Sequence, residues 1–433
     1  MKKLLSTLFL FLLLLSACST SPSPTTTVPL PETPLPTPTN SVPQANRPFP
    51  QHVTYAPGSI LPNHRTQAQL DDDVRAFYDY WKSIYVNEAG SNQNGEPLYR
   101  ISSGKEIETQ GTTVSEGQGY GMLIMATIAG YDIEAQSIFD GLWRFVLAHP
   151  SDLDPRLMDW NVPDDLSGNT SAFDGDADIA LGLLMADAQW GSGGTINYRA
   201  AAESLINAIF ESTIGPDSHL PMLGDWVDPN GELFNQYSPR SSDFMLENFR
   251  AFGKATHDAI WQQAIERSQE VMTSIQLNYS PNTGLLPDFI VMPGDPRVPE
   301  PAPYNFLEAA DDDKYSYNAG RVPWRVGLDA LLNDNAVSRS ITQRISLWAE
   351  FHSEGNPLNF HSGYLLSGDA MVNTSYFSTF FVAPLGVAAM STSSQQIWLN
   401  SIYDAVYNTH QDYYQDTINL LCLFVMTGNY WSP

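Results

Sequence analysis

Apolar residues recur along this chain at three- and four-residue spacing, and not in the strict alternation of a half-buried strand. The pattern predicts about twelve helices, near 69–85, 115–130, 132–147, 174–190, 197–212 and 241–256 in the first half. The second half adds 258–277, 317–333, 338–353, 374–390, 394–408 and 412–427. Many are separated by short Gly, Pro or Asp punctuation, which fits antiparallel neighbours. The long connections run about 86–114, 148–173, 213–240 and 278–316, and they hold a large share of the Trp, Tyr, Asp and Glu residues. Loops of that composition commonly grip a substrate. An even set of hairpinned helices is compatible with an all-α fold, an (α/α)6 barrel in which inner and outer helices alternate. Periodicity alone does not separate that from a helical solenoid.

Three segments carry candidate chemistry. In Val114-Ser115-Glu116-Gly117-Gln118-Gly119-Tyr120-Gly121-Met122, an acid sits among glycines at the mouth of an apolar helix. Thr113 and Glu116 have the spacing of a capping box, a purely structural use. Three glycines in the first turns of a helix nevertheless cost about 0.5–1 kcal/mol each relative to Ala, which suggests that something large must fit close by. The expected occupant is a bulky substrate. The second segment, Asp174-Gly175-Asp176-Ala177-Asp178, superficially matches a calcium loop, but Ile179 and Met185 stand where such a loop needs Gly and Glu. Asp174 can instead open a helix, either as a cap or as a functional acid. The third segment is Tyr317-Asn318-Ala319-Gly320-Arg321-Val322-Pro323-Trp324-Arg325.

Together these segments resemble glycoside hydrolase family 8, over roughly residues 65 to 430. The resemblance implies an (α/α)6 barrel that hydrolyses glycosidic bonds with inversion and without a cofactor. It implies Glu116 as general acid, with Asp174 gripping the sugar ring where it distorts and helping, by its charge, to keep Glu116 protonated. Many members place an Asp base where this chain has Asn318, and an amide cannot take a proton from water at ordinary pH. One branch carries that Asn and draws a Glu from an inserted loop just upstream. Glu308, in Phe306-Leu307-Glu308, is then the implied base, with Asp311, Asp312 and Asp313 as alternatives. That branch includes chitosanases, lichenases and cellulases.

Trp160, Trp226, Tyr315 and Tyr317 fall in or beside the long loops and are candidate sugar platforms, although a Trp is more often core filler. Asn318 and Arg321 join the substrate-binding candidates, Arg321 with a structural ion pair as the equal alternative. The implied substrate is a β-1,4-linked glucan, cellulose-type or mixed-linkage, or chitosan, cut internally. The rival readings are a tethered polysaccharide-binding protein without catalysis and a solenoid interaction module.

Composition refines the picture. The formal net charge of −27 opposes nucleic-acid binding and weakly favours a cationic polymer. No histidine spacing near the acids suits a metal, and there is no nucleophile elbow or phosphate loop. At the start, Lys2-Lys3, an apolar run from Leu4 to Leu15 and then Ser16-Ala17-Cys18 read as an export signal over 1–17, with Cys18 as a lipid-bearing N-terminus. Residues 18–50 are Ser/Thr/Pro-rich and read as a tether, leaving 51–433 as one domain. Cys422 is the only other cysteine, so no disulfide is expected. The expected molecule is a monomer, anchored at a cell surface or facing the periplasm.

Overall fold

Twelve α-helices form among residues 45–102, 112–163 and 169–433, the residues described by a computed structural model. They are α1 (Gln67–Tyr85), α2 (Ser115–Ile128), α3 (Ala135–Ala148), α4 (Phe173–Trp190), α5 (Tyr198–Thr213) and α6 (Leu246–Thr256). The series continues with α7 (Ile260–Asn278), α8 (Val322–Leu332), α9 (Ala336–His352), α10 (Thr379–Ala389), α11 (Gln396–Val406) and α12 (Tyr413–Met426). Each matches one helix expected from periodicity.

Burial separates them into two sets. Thirteen of the fourteen residues of α2 and all eleven of α10 are buried, against seven of nineteen in α1 and six of seventeen in α9. A helix apolar on every side belongs inside, and one with a single apolar stripe belongs outside. The even-numbered helices pack in the order α2, α4, α6, α8, α10, α12 and back to α2. That closed ring makes the fold an (α/α)6 barrel and excludes the open solenoid.

Among the described residues, strands form three small antiparallel pairs in the loops: β1 (Val86–Ser91) with β2 (Pro97–Ile101), β3 (Thr113–Val114) with β4 (Asn161–Val162), and β5 (Ile290–Val291) with β6 (Glu300–Pro301), beside isolated bridges. The connections leading into inner helices are the long ones, so loops and inner-helix N-termini share one face. Three inner helices, expected from 241, 317 and 374, begin five residues later, at Leu246, Val322 and Thr379. The residues ahead of α6 and α8 form 3-10 turns, Ser241–Asp243 and Ala319–Arg321, which turn polar side chains toward that face.

The opposite face is closed by residues 45–62. Backbone N–H groups of Asn46, Phe49, Val53, Ala56 and Ile60 donate to the carbonyls of Gln189, Ala129, Gly428, Leu331 and Met390, at the ends of α4, α2, α12, α8 and α10. These carbonyls lack partners within their helices. Ala45 to Pro50, assigned to the tether from composition, therefore lie against the barrel, with Phe49 buried. The expected signal sequence, Cys18 and the tether up to residue 44 lie outside the described residues.

Candidate active site

Glu116 enters the loop face on the first turn of α2. The β3–β4 pair and a bond from Ser115 N to Trp160 O, 2.9 Å, fix that helix start. The capping box does not form: Val114 is the N-cap, and the Thr113 hydroxyl is buried in β3 without a partner. The glycines also serve a different purpose from the one expected. A Cβ on Gly117 would strike the Tyr413 ring, one on Gly119 Asp178, one on Gly121 Ile101 and one on Gly175 Ser115. They admit neighbouring parts of the protein itself, bringing α2 and α4 into close contact.

Tyr120, one turn after Glu116, donates its hydroxyl to Glu116 Oε1 at 2.8 Å. Burial pushes this phenol well up, so it remains a donor at any ordinary pH. Beneath it, Arg325 forms a two-pronged pair with buried Asp178, at 2.9 and 2.5 Å. Asp174, in the first turn of α4, makes no cap to a later turn; its Oδ1 accepts only from the adjacent Gly175 N, at 3.0 Å.

Arg321 is the hub. Its Nη1 contacts Glu116 Oε1 and, at 2.9 Å, Asp174 Oδ2; its Nη2 donates to Asn318 Oδ1 at 2.7 Å and Ser242 Oγ at 2.9 Å. At 3% exposed, its side chain braces acids beneath the surface, the ion-pair alternative that the sequence offered beside sugar binding. Around it, Glu116, Asp174, Asp243 and Glu308 pair with two guanidinia, Arg240 and Arg321. Burial pushes Asp243 well above the usual carboxylate range.

Glu308 reaches the same network from the loop between β6 and α8. Its Oε1 pairs with Arg240 Nη2, and its Oε2 accepts from Asn318 Nδ2 at 2.8 Å. Asn318 thus spans Arg321 and Glu308, and is itself covered. Glu308 is 41% exposed, open to solvent. The three aspartates offered as alternatives are otherwise engaged: Asp311 and Asp313 pair with Lys314, and buried Asp312 accepts from backbone N–H groups.

A cleft of about 410 Å³ runs past Glu308 and Arg240, lined by Trp160, Trp226, Leu223 and Leu307. Tyr317 is 39% exposed, its ring stacked on Phe380, its hydroxyl 2.9 Å from that of Tyr376. Tyr315 is fully buried against Phe381 and is not a platform, because its residue pairs inward with Tyr364. A second depression of about 500 Å³, lined by Leu153, Phe210, Pro216 and Val227, lies apart from Glu116, Asp174 and Glu308. Its acids Asp154 and Asp225 are occupied by Arg156 and by Ser151 with backbone N–H. Among the described residues no group of His, Cys, Asp or Glu is arranged to hold a metal ion.

Sequence reasoning missed Arg240, Tyr120 and Tyr376. Arg240 meets its partners across 66 and 68 residues, a separation no local pattern encodes.

Residues 65–428 match the family model described as glycosyl hydrolases family 8. The chain is 42% identical over 391 residues to a β-glucanase of Niallia circulans, covering 89% of this chain and 92% of that protein. It is 36% identical over 399 residues to an endoglucanase of Bacillus sp. strain KSM-330, covering 91% and 84%. The structure of a β-1,3-1,4-glucanase from Paenibacillus sp. X4 superposes with a TM-score of 0.84 at 42% identity, covering 90% of this chain and all of that one.

Proposed function

The chain belongs to family 8 of the glycosyl hydrolases and is a glycoside hydrolase, and from that premise we propose that it cuts internal β-1,4 bonds of a neutral β-glucan, mixed-linkage or cellulose-type, with inversion. Hydrolysis needs one carboxyl to protonate the departing oxygen and another, ionised, to activate water on the far side of the ring. Glu116 takes the first role and Glu308 the second. The observation that carries this reading is the bridge between them: Arg321 holds Glu116 and Asp174 while Asn318 joins Arg321 to Glu308. With Oε2 on the Asn318 amide, Oε1 on Arg240 and the carboxylate still 41% exposed, Glu308 keeps lone pairs with which to orient a water molecule. Asn318, unable to act as a base itself, becomes the group that aims one.

Asp174 binds the distorted sugar, with Trp160, Trp226 and Tyr317 as stacking faces. Chitosan is the lesser candidate, because the relatives' names point to glucans. We place the enzyme outside the cytoplasm, as a monomer tethered through Cys18.

The test is hydrolysis of lichenan, carboxymethyl cellulose and chitosan, with the anomer of the first product read by NMR. Release from a glucan as the inverted α-anomer is expected. Glu116→Gln and Glu308→Gln should each lower kcat by roughly 10²- to 10⁴-fold while polymer binding persists. Binding without release from any of the three would favour the non-catalytic alternative. Full activity in Glu308→Gln would remove the proposed base.

A further inference from the structure

Glu308 sits on a loop that has little packing of its own. Leu307 is 37% exposed and Tyr304 68%, while Phe306 next to them packs against Phe234 and Phe289. Such a loop cannot hold a base in place by burial alone. Two buried carboxylates do so through the backbone. Asp312 Oδ2 accepts from Leu307 N at 2.7 Å and Glu308 N at 3.0 Å, and its Oδ1 from Ala309 N at 3.0 Å. Asp288 Oδ1 accepts from Ser316 N at 3.1 Å and Ala319 N at 2.6 Å, on either side of Asn318.

The two acids are tied together. Asp288 N donates to Lys314 O at 2.8 Å, and the next residue, Phe289, donates its N–H to Asp312 O at 2.9 Å. One short stretch, 288–289, therefore holds the segment bearing Glu308 and the segment bearing Asn318. Asp312 accepts on both oxygens, so Asn there would turn a donor toward a backbone N–H; Asp288, which burial pushes up to about 8, accepts on Oδ1 alone, so only a residue without that oxygen removes its contacts.

We propose that Asp312 and Asp288 are positioning residues that set the Glu308–Asn318 hydrogen bond, Asp312 from the side of Glu308 and Asp288 from the side of Asn318. This rests on Glu308 being the base. Neither residue touches substrate; each works by fixing where another side chain stands. A displacement of about 1 Å of a reacting group is enough to cost up to roughly 100-fold in rate.

The experiment is a double-mutant cycle on lichenan. Asp312→Asn is expected to lower kcat roughly 10- to 100-fold with KM within about threefold and the circular-dichroism spectrum unchanged. Added to Glu308→Gln, it should cost nothing further, because a residue acting through Glu308 has nothing left to position. Asp288→Ala, which removes the oxygen that holds Ser316 N and Ala319 N, supplies the same comparison from the other side if Asp312→Asn does not fold. A wild-type kcat in the folded single variants would overturn the proposal, as would a further tenfold loss on the Glu308→Gln background. Failure of the underlying reading shows separately, as Glu308→Gln retaining wild-type kcat.

Discussion

A buried carboxyl away from the catalytic face provides a clean single-residue readout of the fold. Glu247, in α6, accepts from Ser432 Oγ at 2.5 Å and from Asn333 Nδ2, and burial pushes it up to about 7. The ordinary glutamate value is near 4.5, so between those values the folded chain keeps a proton that the unfolded chain releases. Its stabilising contribution is full below about pH 4.5 and is lost as pH rises through 7. Glu247→Gln removes that dependence. Relative to wild type, the variant should gain on the order of 3 kcal/mol between pH 4.5 and 8, read from urea midpoints. A constant difference across that window would refute the assignment. At the site, meaning attaches to residues in combination. Asn318 read alone is an amide in a loop, but in the fold it links Arg321 to Glu308 through its two ends.

Among elements, the α2–α4 pair carries the proposed acid Glu116 and Asp174 on adjacent first turns. Its closeness depends on Gly175, where a Cβ would meet both the side chain and the backbone carbonyl carbon of Ser115. Backbone cannot swing aside as a side chain can. Gly175→Ala should therefore cost about 1–3 kcal/mol or more in overpacking and, by pushing Ser115, displace Glu116 and lower kcat. Gly193→Ala, at a site with open space, is the control. Equal melting temperatures for the two variants would contradict the packing argument. The glycine pattern was plain in the sequence, but its beneficiary was not, because Ser115, Tyr413 and Ile101 come from other helices and loops.

At the scale of the whole molecule, one end of the barrel is chemistry and the other is closure. Residues 45–62 satisfy carbonyls at the ends of five inner helices. Five backbone bonds at about 1 kcal/mol each sum to on the order of 5 kcal/mol. A chain beginning at Ala45 should melt like the full chain, whereas one beginning at Asn63 should melt far lower; no difference in differential scanning calorimetry would show the strap to be dispensable. The twelve helices and their long loops were legible beforehand because helix formation follows local apolar spacing; short motifs singled out Glu116 and Asp174 and an inserted loop Glu308, and the fold brings the three into one network through Arg321 and Arg240. Inner and outer roles, ring closure, the burial of Tyr315, the hub at Arg321 and the arrival of Arg240 depended on contacts between residues far apart in the chain. A sequence by itself states which faces are apolar and which acids are available; only the folded chain decides which distant groups meet, because a guanidinium's partners are chosen by packing and desolvation in three dimensions.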